Sequence, residues 1–177
     1  MSVDKMKKVV FVSGVHGSGK GTLCRSLNDL SCVKSYSASD LIKNNSDYIE
    51  DSKLVDNAEK NQAALIRGIS SLKEKKFLID GHFCLLNNDM EIVDIDYAVF
   101  DAMNISLVVF VECDPEELRR RLMLRDNTKF AVDLLSSFQN AELERAKKFC
   151  FERNIPLIKH CSGQDNVSLI LEKIDNL

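Results

Sequence analysis

A glycine-rich segment near the amino end carries the residue types that bind phosphate. Residues 14–22 read Gly-Val-His-Gly-Ser-Gly-Lys-Gly-Thr, between an apolar run at 9–12 and a helix-like segment that starts at Lys20. Glycines let successive backbone N–H groups approach phosphate oxygens, and the N-terminus of a helix adds partial positive charge. The pattern predicts a triphosphate-binding loop in which Lys20 reaches the β and γ phosphates and Thr22 serves Mg²⁺. The predicted contacts are Gly14, His16, Gly17, Ser18, Gly19, Lys20, Gly21 and Thr22, with His16 a loop residue or nucleotide contact rather than a base.

Short apolar runs alternate with longer amphipathic stretches along the chain, which predicts the elements that must position this loop. Continuous apolar strands of this kind favour an α/β fold with a central parallel sheet of about five strands in a three-layer αβα arrangement. Ligands of such sheets gather at the carboxyl ends of the strands. Ser39 is expected to cap a helix, Pro115 suits a first helical turn, and 85–104 has no motif that we can interpret. The predicted strands are 9–12, 33–37, 77–79, 107–111 and 156–158, and the predicted helices are 20–30, one from Asp40, 52–73, 116–125, 132–153 and 167–174.

Composition limits the function classes that remain. The chain has 177 residues, 45% of them apolar and 29% charged, which is enough to fill the core of one domain, here 1–177, and excludes a disordered or coiled-coil chain. A net charge of −3 lacks the positive field that bulk nucleic-acid or anionic-membrane binding needs. No apolar run approaches the roughly 18 residues of a membrane span, so we expect a cytoplasmic protein. The six cysteines include no Cys-x-x-Cys pair and are expected to be reduced and mostly buried.

Several segments resemble adenylate kinases and related nucleoside monophosphate kinases, in the same order along the chain. Residues 14–22 resemble the phosphate loop of that family, including the Gly between Lys and Thr. Ser-Ala-Ser-Asp-Leu-Ile-Lys at 37–43 resembles the segment that opens the monophosphate-binding region, here 38–75. Phe-Leu-Ile-Asp-Gly-His at 77–82 is similar to the strand whose Asp lies near the metal. Arg-Leu-Met-Leu-Arg at 121–125 resembles the approach to the lid, and Arg145 the arginine on the helix after it. The resemblance implies a P-loop NTPase fold that uses ATP with Mg²⁺.

Two departures narrow the branch. The common enzymes follow their Asp with Gly-Phe-Pro-Arg, whose arginine holds the monophosphate, whereas Asp80 here leads to His82, Phe83 and Cys84. Asp-x-His is instead similar to archaeal-type adenylate kinases and the nuclear adenylate kinase/ATPase branch. The chain also has room only for a short lid at about 125–131. Loss of the arginine leaves the identity of the acceptor open.

The resemblance implies a role for each charged candidate, and each has a structural alternative. Phosphoryl transfer needs positive charge around the transferred group, which Lys20, Arg121, Arg125 and Arg145 could supply. The alternative for the arginines of 119–125 is a solvated face paired with Glu116 and Glu117.

The remaining candidates are acidic, imidazole and acceptor-side residues. Asp80 could hold Mg²⁺ through water or form a turn before Gly81. His82 could orient the attacking group or satisfy a turn. Asp40 and Lys43 are predicted on the substrate side, Asp40 through the water shell of the metal or as a helix cap. The segments 43–53 and 126–130 could close over bound nucleotides and exclude water.

The sequence is compatible with three functions. The first is transfer of the γ-phosphate of MgATP to a nucleoside monophosphate, with AMP the expected acceptor. The second is a kinase of another small acceptor, or a weak ATPase with water as the acceptor. The third is a nucleotide-dependent switch or assembly factor, whose protein partner the sequence does not identify. A switch should couple hydrolysis to a surface that a partner contacts, and we expect no appended domain to provide one. This favours the two enzyme hypotheses.

Overall fold

The computed structural model describes residues 2–4, 6–46 and 57–177. Three expectations therefore fall partly outside the described residues: the start of the helix predicted at 52–73, most of the closing segment predicted at 43–53, and the middle of the monophosphate-binding region predicted at 38–75.

A five-stranded parallel sheet forms the centre of the molecule and confirms the predicted fold class. The strand order is β2-β3-β1-β6-β7, so β1 is central and pairs in parallel with both β3 and β6. The chain passes from β1 to one side of the sheet and later to the other, which makes the carboxyl end of β1 the switch point where ligands bind in such folds. The strands of this sheet are β1 Lys8–Ser13, β2 Ser35–Ser37, β3 Lys76–Gly81, β6 Ile105–Glu112 and β7 Leu157–Cys161.

Seven helices are described, and six correspond to predicted segments. Helix α5 begins with Pro115 in its first turn, and the Asp114 carboxylate accepts from the N–H groups of Glu116 and Glu117. The predicted cap Ser39 is wrong, because the N-cap of α2 is Ser37 and neither hydroxyl caps the helix: the two Oγ atoms bond each other at 2.8 Å. The helices are α1 Lys20–Ser31, α2 Ala38–Asn45, α3 Asn57–Ser71, α4 Tyr97–Met103, α5 Pro115–Asp126, α6 Val132–Arg153 and α7 Ser168–Asp175.

The two faces of the sheet bury separate apolar cores. Alternate residues of β1 face opposite ways, so Phe11 packs with side chains of α3, α4 and α6, while Val10 and Val12 pack with α1 and α7. All three side chains are buried. Burial on both faces explains why the strand reads as a continuous apolar run.

The segment 85–104 contains the elements that sequence analysis did not identify. Strands β4 Cys84–Leu86 and β5 Ile92–Asp94 form a separate antiparallel hairpin, and α4 follows it. Strands of three residues carry too little periodicity to be recognised in a sequence.

Two further expectations concern the cysteines and the membrane. All six cysteines are free, four of them buried, while Cys32 and Cys161 are exposed. Among the described residues no helix combines the length and apolar character that a bilayer crossing requires.

Candidate active site

A large cleft opens at the carboxyl ends of the central strands, with a volume of about 1920 Å³. Pockets for a single small ligand run to roughly 300–1,000 Å³, so this cleft is large enough for two ligands. We call one side the loop half; it is lined by His16, Gly17, Gly19, Lys20, Thr22, Arg25, Arg121, Arg125, Ser162, Gly163, Gln164 and Asp165. We call the other side the hairpin half; it is lined by Ser39, Ile42, Glu59, Asn61, Gln62, Leu65, Leu85, Val93, Asp94, Asp96 and Val99.

The glycine-rich loop adopts backbone conformations that side chains would prevent. Gly14 has φ +149°, and a Cβ there would lie 2.7 Å from the Val111 carbonyl oxygen. Gly19 has φ +103° and forms the N-cap of α1 in the left-handed region. Because both positions favour glycine, the loop can turn directly from β1 into α1 and leave the helix N-terminus facing the cleft. Ser18 in this loop is buried, and its Oγ has no hydrogen-bond partner within the described structure.

Lys20 is the first residue of α1 and is only 7% exposed. Its Nζ donates to the carbonyl oxygens of Gly14 at 2.7 Å and Val15 at 3.0 Å. Burial lowers the pKa of this ammonium to about 8, while the carboxylates of Asp80 and Glu142 oppose the shift. The ammonium group of Lys20 is therefore held inside the loop by two carbonyl oxygens. The charged oxygens of a phosphate are stronger acceptors and could replace these carbonyls.

Asp80 lies near the end of β3, where it pairs with Val12 of β1 and Ser37 of β2. It lines the cleft together with Thr22, whose exposed hydroxyl accepts from Arg25 at 3.2 Å. Burial raises the pKa of the Asp80 carboxyl, and the nearby Lys20 ammonium counteracts this.

The oxygen donors of Thr22 and Asp80 suit Mg²⁺, which proteins commonly hold through one or two carboxylates together with phosphates of the substrate. Within the described ranges, no three His, Cys, Asp or Glu side chains are grouped so as to hold a metal ion. The oxygen atoms of Thr22 and Asp80 fit a metal ion that is bound together with the phosphates of a nucleotide.

Two histidines meet beside the loop. The rings of His16 and His82 are 4.4 Å apart between centroids, and Nδ1 of His82 is buried with no hydrogen-bond partner among the residues that the structure describes. Burial, reinforced by Lys20 and His16, lowers the pKa of His82 to about 2. Burial and the Lys20 charge also lower the pKa of His16. Both imidazoles are therefore neutral at physiological pH.

Arg121 reaches from α5 onto the loop. Its Nη1 donates to the carbonyl oxygens of Gly17 at 3.2 Å and Ser18 at 3.4 Å, and to Ser162 Oγ at 2.9 Å. Its Nε donates to Glu117 at 2.8 Å. Arg121 therefore forms the ion pair with Glu117 that sequence analysis gave as the structural alternative, and it also contacts the phosphate loop. The glutamate holds the guanidinium over the loop.

Arg125 also lines the cleft, one helical turn further along α5. It is half exposed and pairs with Asp126 at 2.6 Å. The connection from α5 to α6 spans only residues 127–131, where a short lid was expected; that it closes over a ligand stays a prediction.

Arg145 lies apart from the other predicted residues. Its Nη1 donates to Asp94 at 2.7 Å, its Nη2 donates to the Ile95 carbonyl at 2.6 Å, and its guanidinium stacks 4.3 Å from the Tyr97 ring. It does not line the cleft, so in this arrangement it fastens the hairpin to α6. Its predicted catalytic role stays a prediction.

Asp40 and Lys43 are exposed on α2 and do not line the cleft either. Their helical neighbours Ser39 and Ile42 line it instead. A helix turns about 100° per residue, so a shift of one position moves a side chain to another face. Their predicted contacts with substrate stay predictions.

Sequence reasoning missed one group of residues that lines the cleft and another that lies behind it. Ser162, Gly163, Gln164 and Asp165 follow β7, and the rule that ligands meet the carboxyl ends of parallel strands could have found them. Glu142 and Gln139 on α6 are buried polar residues behind the loop half. Nothing in the sequence distinguishes them from the exposed polar residues of the same helix.

Comparisons with known proteins agree with this geometry. The sequence model of the AAA domain family matches residues 13–139. UMP-CMP kinase 3 of Oryza sativa subsp. japonica is 30% identical over 94% of this chain and 79% of its own length. The Arabidopsis thaliana protein named "Probable UMP-CMP kinase 1" is 32% identical over 94% of this chain and 81% of its own length. The unliganded structure of a sugar kinase from Janibacter sp. HTCC2649 superposes with a TM-score of 0.51 at 18% identity, covering 96% of this chain and 91% of its own.

The structural likeness supports the fold alone, whereas the sequence matches span most of the chain and include the phosphate loop. Together with a buried lysine in a glycine loop at the switch point of a parallel sheet, they identify the class of protein. The chain is a nucleotide kinase and belongs to the nucleoside monophosphate kinase-like family of P-loop proteins.

Proposed function

We propose that this protein transfers the γ-phosphoryl group of MgATP to a nucleoside monophosphate. The observation that carries the proposal is one continuous cleft in which the Lys20 loop faces a second half large enough for another ligand. The names of the two plant relatives, both UMP-CMP kinases, support a monophosphate acceptor.

Positioning and charge do most of the work in such a reaction. An oxygen of the acceptor phosphate attacks the γ-phosphorus, the bond to the β-phosphate oxygen breaks, and ADP leaves with that electron pair. Lys20, Arg121 and Arg125 of the loop half would hold the triphosphate and balance charge on the equatorial oxygens. Thr22 and Asp80 would hold Mg²⁺, which neutralises charge on the phosphates. The neutral His82 imidazole would orient the acceptor without adding a charge of its own.

AMP is our expected acceptor, and UMP and CMP are its nearest competitors. The resemblance to adenylate kinases in the Asp-x-His segment supports AMP, while the names of the plant relatives support the pyrimidine nucleotides. The amides of Asn61 and Gln62 can both donate and accept hydrogen bonds, so either class of base could be read by them.

A second candidate is transfer to a hydroxyl group of another small acceptor. Among the described residues that line the hairpin half there is no lysine or arginine, while Glu59, Asp94 and Asp96 are acidic. Acidic side chains repel a phosphate and favour a neutral or cationic acceptor. This candidate needs no change in the use of the loop half.

A matched acceptor panel tests the proposal. ADP formation from MgATP would be followed with AMP, UMP, CMP, GMP, the four corresponding nucleosides, or no acceptor, and with Lys20→Ala as the control. We expect strong stimulation by one monophosphate and none by its nucleoside. Stimulation by nucleosides alone would favour the second candidate, and a rate indifferent to every acceptor would contradict kinase activity and indicate an ATPase or a switch.

A further inference from the structure

Helix α6 buries a carboxylate behind the cleft. Glu142 is 0% exposed and is the one buried carboxylate among the described residues. An unpaired buried charge costs several kcal/mol, so such a group persists only where neighbouring donors compensate it.

Backbone N–H groups supply that compensation. The Phe83 N–H donates to both carboxylate oxygens at 2.8 Å, and the Cys84 N–H donates to one of them at 2.6 Å. Burial raises the pKa of Glu142 to about 7, while these two amides, the Lys20 ammonium and the Gly14 N–H favour the ionised form. One side chain therefore interacts with both the phosphate loop and the segment that follows β3.

A comparison with Gln139, one turn earlier on α6, shows why a carboxylate is needed here. Gln139 Oε1 accepts from the Cys113 N–H at 2.9 Å, and its Nε2 donates to the Cys113 carbonyl at 2.8 Å. An amide thus matches a peptide that offers one donor and one acceptor. At Glu142 both facing groups are donors, so an amide there would turn its own NH₂ group toward N–H groups or leave one unpaired.

The peptide that Glu142 holds directly follows the proposed reaction residues. Phe83 directly follows His82, and Asp80 lies two residues before His82. Phe83 itself is fully buried and packs against Phe11 and Phe100. The ring fixes the position of the segment in the core, and the carboxylate fixes the direction of its N–H groups.

We propose that Glu142 is a positioning residue for phosphoryl transfer, which holds the 83–84 peptide so that Asp80 and His82 face the Lys20 loop. The inference rests on the proposed function, because Asp80 and His82 are assigned their roles there. Glu142 does not line the cleft, so we assign it a role through the 83–84 peptide and not through direct contact with a substrate.

The test compares Glu142→Gln with Glu144→Gln, the same change two residues away at a side chain that is 69% exposed. Three quantities would be measured on the full chain: kcat, the number and Kd of MgATP sites by calorimetry, and amide exchange in a fragment spanning 82–86. For Glu142→Gln we expect about one MgATP site per chain, kcat lowered about 10-fold, and exchange faster by about 10-fold, since a small displacement of reacting groups and a lost buried hydrogen bond each act on that scale. Glu144→Gln should leave all three unchanged.

Wild-type kcat per MgATP site in Glu142→Gln would overturn the proposal, and so would unchanged exchange at 82–86. If Glu142→Gln does not fold, Glu142→Asp keeps both oxygens on a side chain one methylene shorter, and wild-type kcat together with faster exchange at 82–86 in that variant would likewise overturn it. Failure of every monophosphate to stimulate turnover would defeat the proposed function only. The exchange rates and the acceptor-free hydrolysis rate would still test Glu142.

Discussion

The two halves of the cleft are built on different principles. The loop half rests on β1, the central strand, and its chemistry comes from glycine-enforced backbone geometry, a buried lysine and three arginines. The hairpin half rests on strands of three residues and on helices α2, α3 and α4, and it offers amide, acidic and apolar side chains.

The difference follows from what each half must recognise. A triphosphate is the same in every ATP-using reaction, and main-chain N–H groups with fixed cations can bind it without reading a base. An acceptor must be told apart from similar molecules, which requires side chains that can vary. We therefore expect substitutions in the loop half to affect turnover strongly, and substitutions in the hairpin half to affect the choice of acceptor.

The largest expected effect is that of Lys20→Ala. Removing one preorganised charge from the transition state typically costs about 10²-fold in kcat or more. Steady-state kinetics with saturating MgATP would measure it. Lys147→Ala, an exposed lysine on α6, is the control and should keep wild-type turnover. Near-normal turnover of Lys20→Ala would refute the role of the loop.

Arg121→Ala should follow, with kcat/KM for MgATP lowered about 10-fold, the scale of a lost hydrogen bond from a charged group. Arg120→Ala is a closely matched control, because Arg120 pairs with the same Glu117 but is exposed and, within the described part of the chain, makes no hydrogen bond to the loop. Equal losses in both variants would mean that the ion pairs, and not the contact with the loop, matter.

Two glutamines, one in each half, sharpen the comparison. Gln164→Ala should raise KM for MgATP about 5-fold and leave the acceptor KM unchanged, since a neutral hydrogen bond contributes roughly 1 kcal/mol. Gln62→Ala should raise KM for the acceptor about 5-fold and leave KM for MgATP unchanged. Initial-rate kinetics with each substrate varied in turn would measure both. If both variants shifted the same KM, the division into two halves would be wrong.

The smallest expected effect is on the stability of the fold at low pH, through an ion pair beside the edge strand β2. Glu74 pairs with Lys34 beside β2 and accepts from the Tyr36 hydroxyl at 3.0 Å, and these interactions lower its pKa to about 2 from a normal value of 4.5. Because the folded-state pKa is depressed, the pair stabilises the fold above pH 4.5, and this contribution disappears as pH falls toward 2.

Urea unfolding of wild type and Glu74→Gln at pH 6 and pH 3 would measure this contribution. The wild-type advantage should be small at pH 6, as for exposed pairs in general, and smaller still at pH 3. An advantage that grows on acidification would contradict the assignment.

Parts of the fold were predictable because they depend on local pattern. The apolar runs of β1, β3 and β6 and the helical period of α6 each mark an element buried along its length. The hairpin and α4 were not predictable, because three-residue strands are defined by their partners rather than by their own residues. The cap of α2 was misjudged for a related reason: two neighbouring serines compete, and they bond each other instead.

The candidate site divides in the same way. The loop, Lys20, Asp80 and Arg121 follow from motifs whose spacing matches their elements, and the structure brings all four to one cleft. Arg145 carries the same kind of motif, yet its guanidinium contacts Asp94, which belongs to a strand that the sequence did not reveal.

What the sequence by itself determined is the chemistry of the phosphate loop, because glycine spacing and one lysine act over nine consecutive residues. What only the tertiary structure decided is which distant side chains support that loop. Glu142 lies 122 positions after Lys20, and its surroundings exist only once α6 packs behind the sheet. A buried charge is recognisable only by the groups that compensate it, and those groups are brought together by folding.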